Sequence, residues 1–152
     1  ALEEMPPHDQ RVVDLGCGSG VLGLASLALG ASEVLAADTD SLAVRATTDN
    51  AALNGLKAEQ LRVSHGSIDT LATLLNGEAA DLLLCNILAP VIEALAPQFA
   101  SVLKPEGRGL LSGLLVDQAP RLIEVLAECG WQARPIGEQG RWGLLEIKRI
   151  LG

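Results

Sequence analysis

Apolar positions along the chain come in short runs broken by polar punctuation, and strand-like and helix-like periods alternate. Residues 11–16 (RVVDLG) form a β-branched run that predicts a strand, and VLGLASLALG (21–30) predicts a helix closed by Gly30. EVLAAD (33–38) reads as a second strand, and Asp40 is placed to cap a helix that runs through Ala52 and stops near Gly55. QLRVSH (60–65) and the fully apolar ADLLLCN (80–86) are strands three and four. PVIEALAPQFASVL (90–103) continues as helix with a kink expected at Pro97. GRGLLSG (107–113) is strand five, QAPRLIEVLAECG (118–130) a helix closed by Gly130, and WQARPI (131–136) strand six. Five residues separate Ile136 from Trp142, too few for a parallel crossover, so RWGLLEIKR (141–149) is predicted to return antiparallel.

Strands alternating with helices predict an α/β domain: a seven-stranded, mostly parallel sheet with one antiparallel strand and helices on both faces. Residues 1–10 read as a lead-in or linker remnant and 11–152 as one domain without repeats or low-complexity tracts.

Composition narrows the classes. Of 152 residues, 49% are hydrophobic and 20% charged, a globular balance. No apolar run approaches the roughly 18–20 residues of a membrane span and no leader precedes the domain, so a soluble cytoplasmic protein without a membrane partner is expected. The net charge of −8 disfavours a nucleic acid partner and suits a basic one. Cys17, Cys85 and Cys129 are far apart and form no C-x-x-C pair, so buried free thiols are expected. His8 and His65 are too isolated for a metal cluster or a catalytic triad, so no metal is expected. No exposed heptad demands a partner copy, which favours a monomer.

The stretch DLGCGSGVLG (14–23) holds four glycines in ten positions directly after strand one. Ligands of such sheets sit outside the carboxyl ends of the strands, and residues without Cβ let a ligand lie against the main chain. Two frames compete. Gly18–Gly23 formally matches the dinucleotide fingerprint G-x-G-x-x-G, which would leave Asp14 charged inside an apolar strand. The other frame, Asp14 with Gly16, Gly18 and Gly20, resembles motif I of the Rossmann-like, class I S-adenosylmethionine methyltransferases. That resemblance places Asp14 at the strand end facing the cofactor crevice, near the methionine ammonium. Asp38, 18 residues past Gly20, ends strand two where either cofactor wants a carboxylate on its ribose hydroxyls, with Thr39 beside it. Ser67 and Ile68 follow strand three at the position where such methyltransferases hold the adenine, through a backbone amide and a small polar side chain. His65 reads as a solvated strand-end residue and Asp69 as the start of a helical turn.

At the end of strand four, Asn86 opens NILAP, where amino-methylating enzymes of this fold carry N-P-P-Y or D-P-P-Y. An Asn oxygen can accept an amine's hydrogens and aim its lone pair; capping the next helix is the structural alternative. The aromatic is replaced by Leu88 and Ala89, which favours an aliphatic amine over a nucleobase. Asp117 is conceivable as a base but equally as a helix cap, so the proton is expected to leave to solvent.

Together DLGCGSGVLGLAS, ADTDSLAVRATTDNAALNG, NILAPVIEALAP and LKPEGRGLLSGLL resemble the catalytic domain of the ribosomal protein L11 methyltransferase (PrmA) family over almost all of the chain. The resemblance implies S-adenosylmethionine-dependent methylation of lysine side chains and the N-terminal amine of a basic ribosomal protein. It puts Asn86 and Leu88 at the amine-facing position and Gly16, Asp38 and Ser67 at cofactor positions. Family members carry an N-terminal recognition domain, a linker and a threonine-rich closing segment. None is found here, so an open site with weak cofactor binding is expected. Two other classes stay open: a module that holds S-adenosylmethionine without turnover, and an NAD-binding oxidoreductase domain supported only by the Gly18–Gly23 match.

Overall fold

The structure, a computed structural model, describes residues 1–150. The last two residues of the expected domain, 151 and 152, lie outside the described residues. In chain order the elements are β1 (Arg11–Leu15), α1 (Val21–Ala28), β2 (Glu33–Asp38), α2 (Ser41–Leu53), β3 (Leu61–His65), α3 (Ile68–Leu75) and β4 (Ala80–Asn86). There follow α4 (Ala89–Leu95), β5 (Leu103–Leu115), α5 (Ala119–Glu128), β6 (Trp131–Gln139) and β7 (Trp142–Arg149).

The strands form one seven-stranded sheet in the order β3-β2-β1-β4-β5-β7-β6. β7 runs antiparallel between β5 and β6, and the other pairings are parallel, as the five-residue connection required. The order reverses between β1 and β4, which makes their carboxyl ends the natural ligand crevice.

Two-residue alternation sorts the strand side chains into two cores. Val13, Leu15, Leu83, Cys85 and Leu111 bury one face together with Ile68, Ile92, Phe99 and Leu122 of the helical layer that includes α3, α4 and α5. Val12, Val34, Leu82, Leu84 and Leu110 bury the other face, where Leu22, Leu24 and Leu27 of α1 pack. The helices begin and end for local reasons. Asp40 caps α2 by accepting the N–H of Leu42 at 2.9 Å. Pro97 lies where α4 stops at Leu95 and the chain tightens into a 3-10 turn, Ala96–Ser101, which is the form the expected kink takes.

Three elements differ from the sequence reading. β5 starts at Leu103, not 107, because Ala80 pairs with Leu103 before the register jumps to Leu82 opposite Arg108. The jump sets Lys104, Pro105, Glu106 and Gly107 against the single Asp81, an excess of three residues on β5, and Pro105, which has no N–H to donate, is accommodated there. The helical turn expected at Asp69 is a full helix, α3 (Ile68–Leu75), with Ile68, Leu71 and Leu75 on its buried side. β6 and β7 pair out to Gln139 and Trp142, so the connection is a tight hairpin through Gly140 and Arg141.

Candidate active site

At the carboxyl ends of β1–β4 lies a cleft of about 240 Å³, lined by Leu15, Gly16, Gly18, Asp38, Thr39, Gly66, Ser67, Asn86, Ile87, Val91 and Leu95. The glycine turn makes one wall, and each glycine has its own reason. Gly16 begins the turn: its N–H and that of Cys17 both donate to the Ala37 carbonyl, at 2.9 and 3.1 Å. A Cβ at Gly16 would overlap Ile87 Cγ2. At Gly20 a Cβ would stand 2.9 Å from Thr47 Cγ2 of α2, so this glycine serves helix packing. Only Gly18 faces open space, with nothing within 4 Å of its missing Cβ and a φ of +57° that disfavours a side chain. Gly23 lies inside α1, 3.1 Å from Val34 Cγ1 where its Cβ would be, and takes no part in the turn.

Asp38 closes the far side of the turn. Its Oδ2 accepts the Gly18 N–H at 3.0 Å and its Oδ1 the Asp40 N–H at 2.9 Å. The carboxylate is thereby fixed while remaining partly exposed in the cleft, the posture needed to accept hydroxyl hydrogens from a ribose. Thr39 lies beside it, its carbonyl 2.8 Å from His65 Nε2. That bond gives His65 a bracing part at the ends of β2 and β3.

Ser67 lies at the N-terminus of α3, where its side chain makes no capping bond, and it lines the cleft. Ile68 does not offer its side chain there: it is buried against the α3 core, so any role falls to its backbone.

Asp14 also departs from expectation. It does not line the cleft; strand parity turns it onto the Val12 and Leu84 face, beneath α1 and 2% exposed. Its carboxylate accepts the Gly23 N–H, and its Oδ2 has no partner. Burial foremost, then the nearby Asp38 charge, pushes Asp14 up to about 7 against the opposing bond from Gly23. Burial of Asp14 therefore does not separate the two glycine frames. The turn does, because β1 ends at Leu15 and the positive φ values fall at Gly16, Gly18 and Gly20.

Asn86 ends β4 with its side chain exposed in the cleft. The residue at the N-terminus of α4 is Leu88, so Asn86 does not cap that helix. Leu88 is 62% exposed and stands outside the lining, with Val91 one turn on inside it. Two residues that the sequence reading passed over shape this corner. Ser112 is the register partner of Asn86 and accepts the Ile87 N–H through its carbonyl at 3.2 Å. Gly113, at a φ of +84°, lies so close that a Cβ would stand 2.6 Å from the Ile87 carbonyl oxygen and 2.9 Å from Asn86 Oδ1. A glycine closing an apolar strand run was the available signal. Asp117 sits in a 3-10 turn after β5, Val116–Gln118, that Gln118 rather than Asp117 secures by accepting the Leu115 N–H at 2.8 Å.

Among the described residues no group of His, Cys, Asp and Glu could hold a metal ion, and no helix is long and apolar enough to cross a membrane. Cys17 and Cys85 are buried and Cys129 partly so.

The sheet order, the reversed β7 and a glycine turn at the β1 carboxyl end define a Rossmann-like methyltransferase fold. A solved ribosomal protein L11 methylase from Lactobacillus delbrueckii subsp. bulgaricus superposes with a TM-score of 0.83 at 33% identity, over 97% of this chain and 74% of that one. The sequence model of the ribosomal protein L11 methyltransferase (PrmA) family matches residues 1–150, and the chain belongs to that family. It is 68% identical over 149 residues to the ribosomal protein L11 methyltransferase of Parasynechococcus marenigrum (strain WH8102), covering 98% of this chain and 52% of that protein. With the counterpart from Synechococcus sp. (strain RCC307) the identity is 62%, over 98% of this chain and 49% of that protein. The chain thus spans about half the length of these relatives.

Proposed function

We propose that this chain is the catalytic domain of an S-adenosylmethionine-dependent protein N-methyltransferase that modifies amino groups of ribosomal protein L11. The observation that carries the reading is the pairing, across one cleft, of the Asp38 carboxylate fixed by the Gly18 N–H with the exposed Asn86 amide. The names of the relatives supply the substrate.

The residues present fit the cofactor. Asp38 would hold the ribose hydroxyls, the open face of Gly18 admits the ligand against the main chain, and Ser67 would meet the adenine. S-adenosylmethionine, when bound, supplies an electrophilic methyl group on a sulfonium. What remains for the protein is placement. Asn86 Oδ1 accepts an N–H of the neutral amine and aims the nitrogen lone pair at the methyl carbon. With the amine so held, the methyl group would pass from the sulfonium to the nitrogen, the sulfur taking the C–S electron pair, and the amine's extra proton would leave to solvent. A lysine or N-terminal amine suits the site better than a nucleobase, because the NILAP segment carries Leu88 and Ala89 in place of an aromatic and the cleft lining after Asn86 is aliphatic Ile87 and Val91. The net charge of −8 suits a basic ribosomal protein. The domain works as a cytoplasmic monomer in this reading.

The test is transfer of labelled methyl groups to purified L11 by the parent chain and by Asn86→Ala. Loss of transfer in the variant with S-adenosylhomocysteine affinity unchanged supports the assignment. Transfer at the parental rate refutes it, and a chain that holds the cofactor without transferring the label is a binding module.

A further inference from the structure

α2 turns two polar side chains toward the glycine turn, and neither serves the helix that carries it. Thr47 is buried, and its Oγ1 donates to the Gly18 carbonyl at 3.0 Å, 29 residues back along the chain. The Asn50 amide nitrogen donates to the Ser19 carbonyl at 2.8 Å. Three residues apart, both lie on one face of α2. Their neighbours behave otherwise: Thr48 Oγ1 bonds back to the Val44 carbonyl and the Asn54 amide to the Asn50 carbonyl, the local bonds such residues ordinarily make. Thr and Asn are weaker helix formers than Ala, so helix formation gives no reason for either at 47 or 50.

Both backbone polar groups of Gly18 are thereby held, from opposite sides. Its N–H goes to Asp38 Oδ2 and its carbonyl to Thr47. Asp38 Oδ1 accepts the N–H of Asp40, the residue that caps α2, so the end of β2, α2 and the turn close into one ring of bonds. Cys17 adds a link: its Sγ lies 3.3 Å from Thr47 Oγ1, and because the Thr47 proton is committed to Gly18, the thiol is the donor. Burial foremost pushes that thiol up to about 11, so its proton is in place at neutral pH. Without these anchors Gly18, which lacks a Cβ, would be free to rotate and draw its N–H away from Asp38.

We propose that Thr47 and Asn50 are positioning residues for the cofactor: by anchoring the Gly18 and Ser19 carbonyls to α2, they keep the open face of the turn and the Asp38 carboxylate in the arrangement that takes the ribose of S-adenosylmethionine. The inference rests on the methyltransferase reading and extends its binding machinery to a helix outside the cleft lining.

Calorimetric titration with S-adenosylhomocysteine, beside denaturant unfolding of the same samples, tests this. Thr47→Val keeps the methyl that packs against Gly20 and removes the hydroxyl; its affinity should fall about fivefold, the scale of one lost hydrogen bond. Thr47→Ser keeps the hydroxyl and removes the methyl; it should lose stability yet bind within about twofold of the parent. Asn50→Ala favours the helix and carries the test should Thr47→Val not fold; it should bind about threefold more weakly than the parent. Parental affinity in Thr47→Val and Asn50→Ala overturns the inference. So does affinity that follows stability, with Thr47→Ser binding as poorly as Thr47→Val, because the two side chains would then support the fold alone. A parent chain that does not bind S-adenosylhomocysteine removes the methyltransferase reading itself, and this inference with it.

Discussion

The Cβ that Gly113 lacks would stand 2.9 Å from Asn86 Oδ1, so the end of β5 sets where the amide at the end of β4 can point. Gly113→Ala should displace Asn86 and Ile87 and strain a backbone held at a φ of +84°. Methyl transfer should fall more than about tenfold, the scale of lost orientation, while S-adenosylhomocysteine affinity changes by less than about twofold. Kinetics on L11 beside calorimetry measures both. Equal losses in turnover and cofactor affinity would mean that Gly113 supports the fold and not the amide.

Asp38 joins the glycine turn to the cleft through its two backbone acceptor bonds. Asp38→Ala should weaken S-adenosylhomocysteine by about tenfold or more, the worth of one charge-assisted bond. Calorimetry checks it, and unchanged affinity would remove Asp38 from the ribose.

Asp14 makes stability depend on pH in an unusual direction. An unfolded Asp titrates near ~3.9, whereas burial holds the folded group up at about 7. Between these values the folded state binds the extra proton, so this contribution to stability is complete below the lower value. It is lost as pH rises through the upper one. The swing amounts to a few kcal/mol by order of magnitude. Asp14→Asn should flatten the stability profile between about pH 4 and 7 and be more stable than the parent above it. Denaturant unfolding at a series of pH values measures this; an identical slope in both proteins would show that Asp14 titrates normally.

The sheet was legible because its strands are apolar runs and its one reversal is forced by a short connection. β5 was cut short because Lys104, Pro105 and Glu106 carry turn chemistry, and only the pairing of Ala80 with Leu103 reveals them as excess within a strand. Asp38, Gly18 and Asn86 share one cleft lining because each lies at or just past the carboxyl end of a parallel strand, a position that can be counted from the sequence. Asp14 was misplaced for want of parity: it alternates with Val13 and Leu15, so it must share the face of Val12. Gly113 was unreadable in its role, since that role exists only through contact with the loop after β4.

The account turns on what the cleft binds, and calorimetric titration of the chain with S-adenosylhomocysteine and, separately, NAD tests this most directly. One-to-one binding of S-adenosylhomocysteine with no heat from NAD is the expected result. Binding of NAD alone, or of neither, would contradict the assignment of Asp38, Gly18 and Asn86 to a methyl-transfer site.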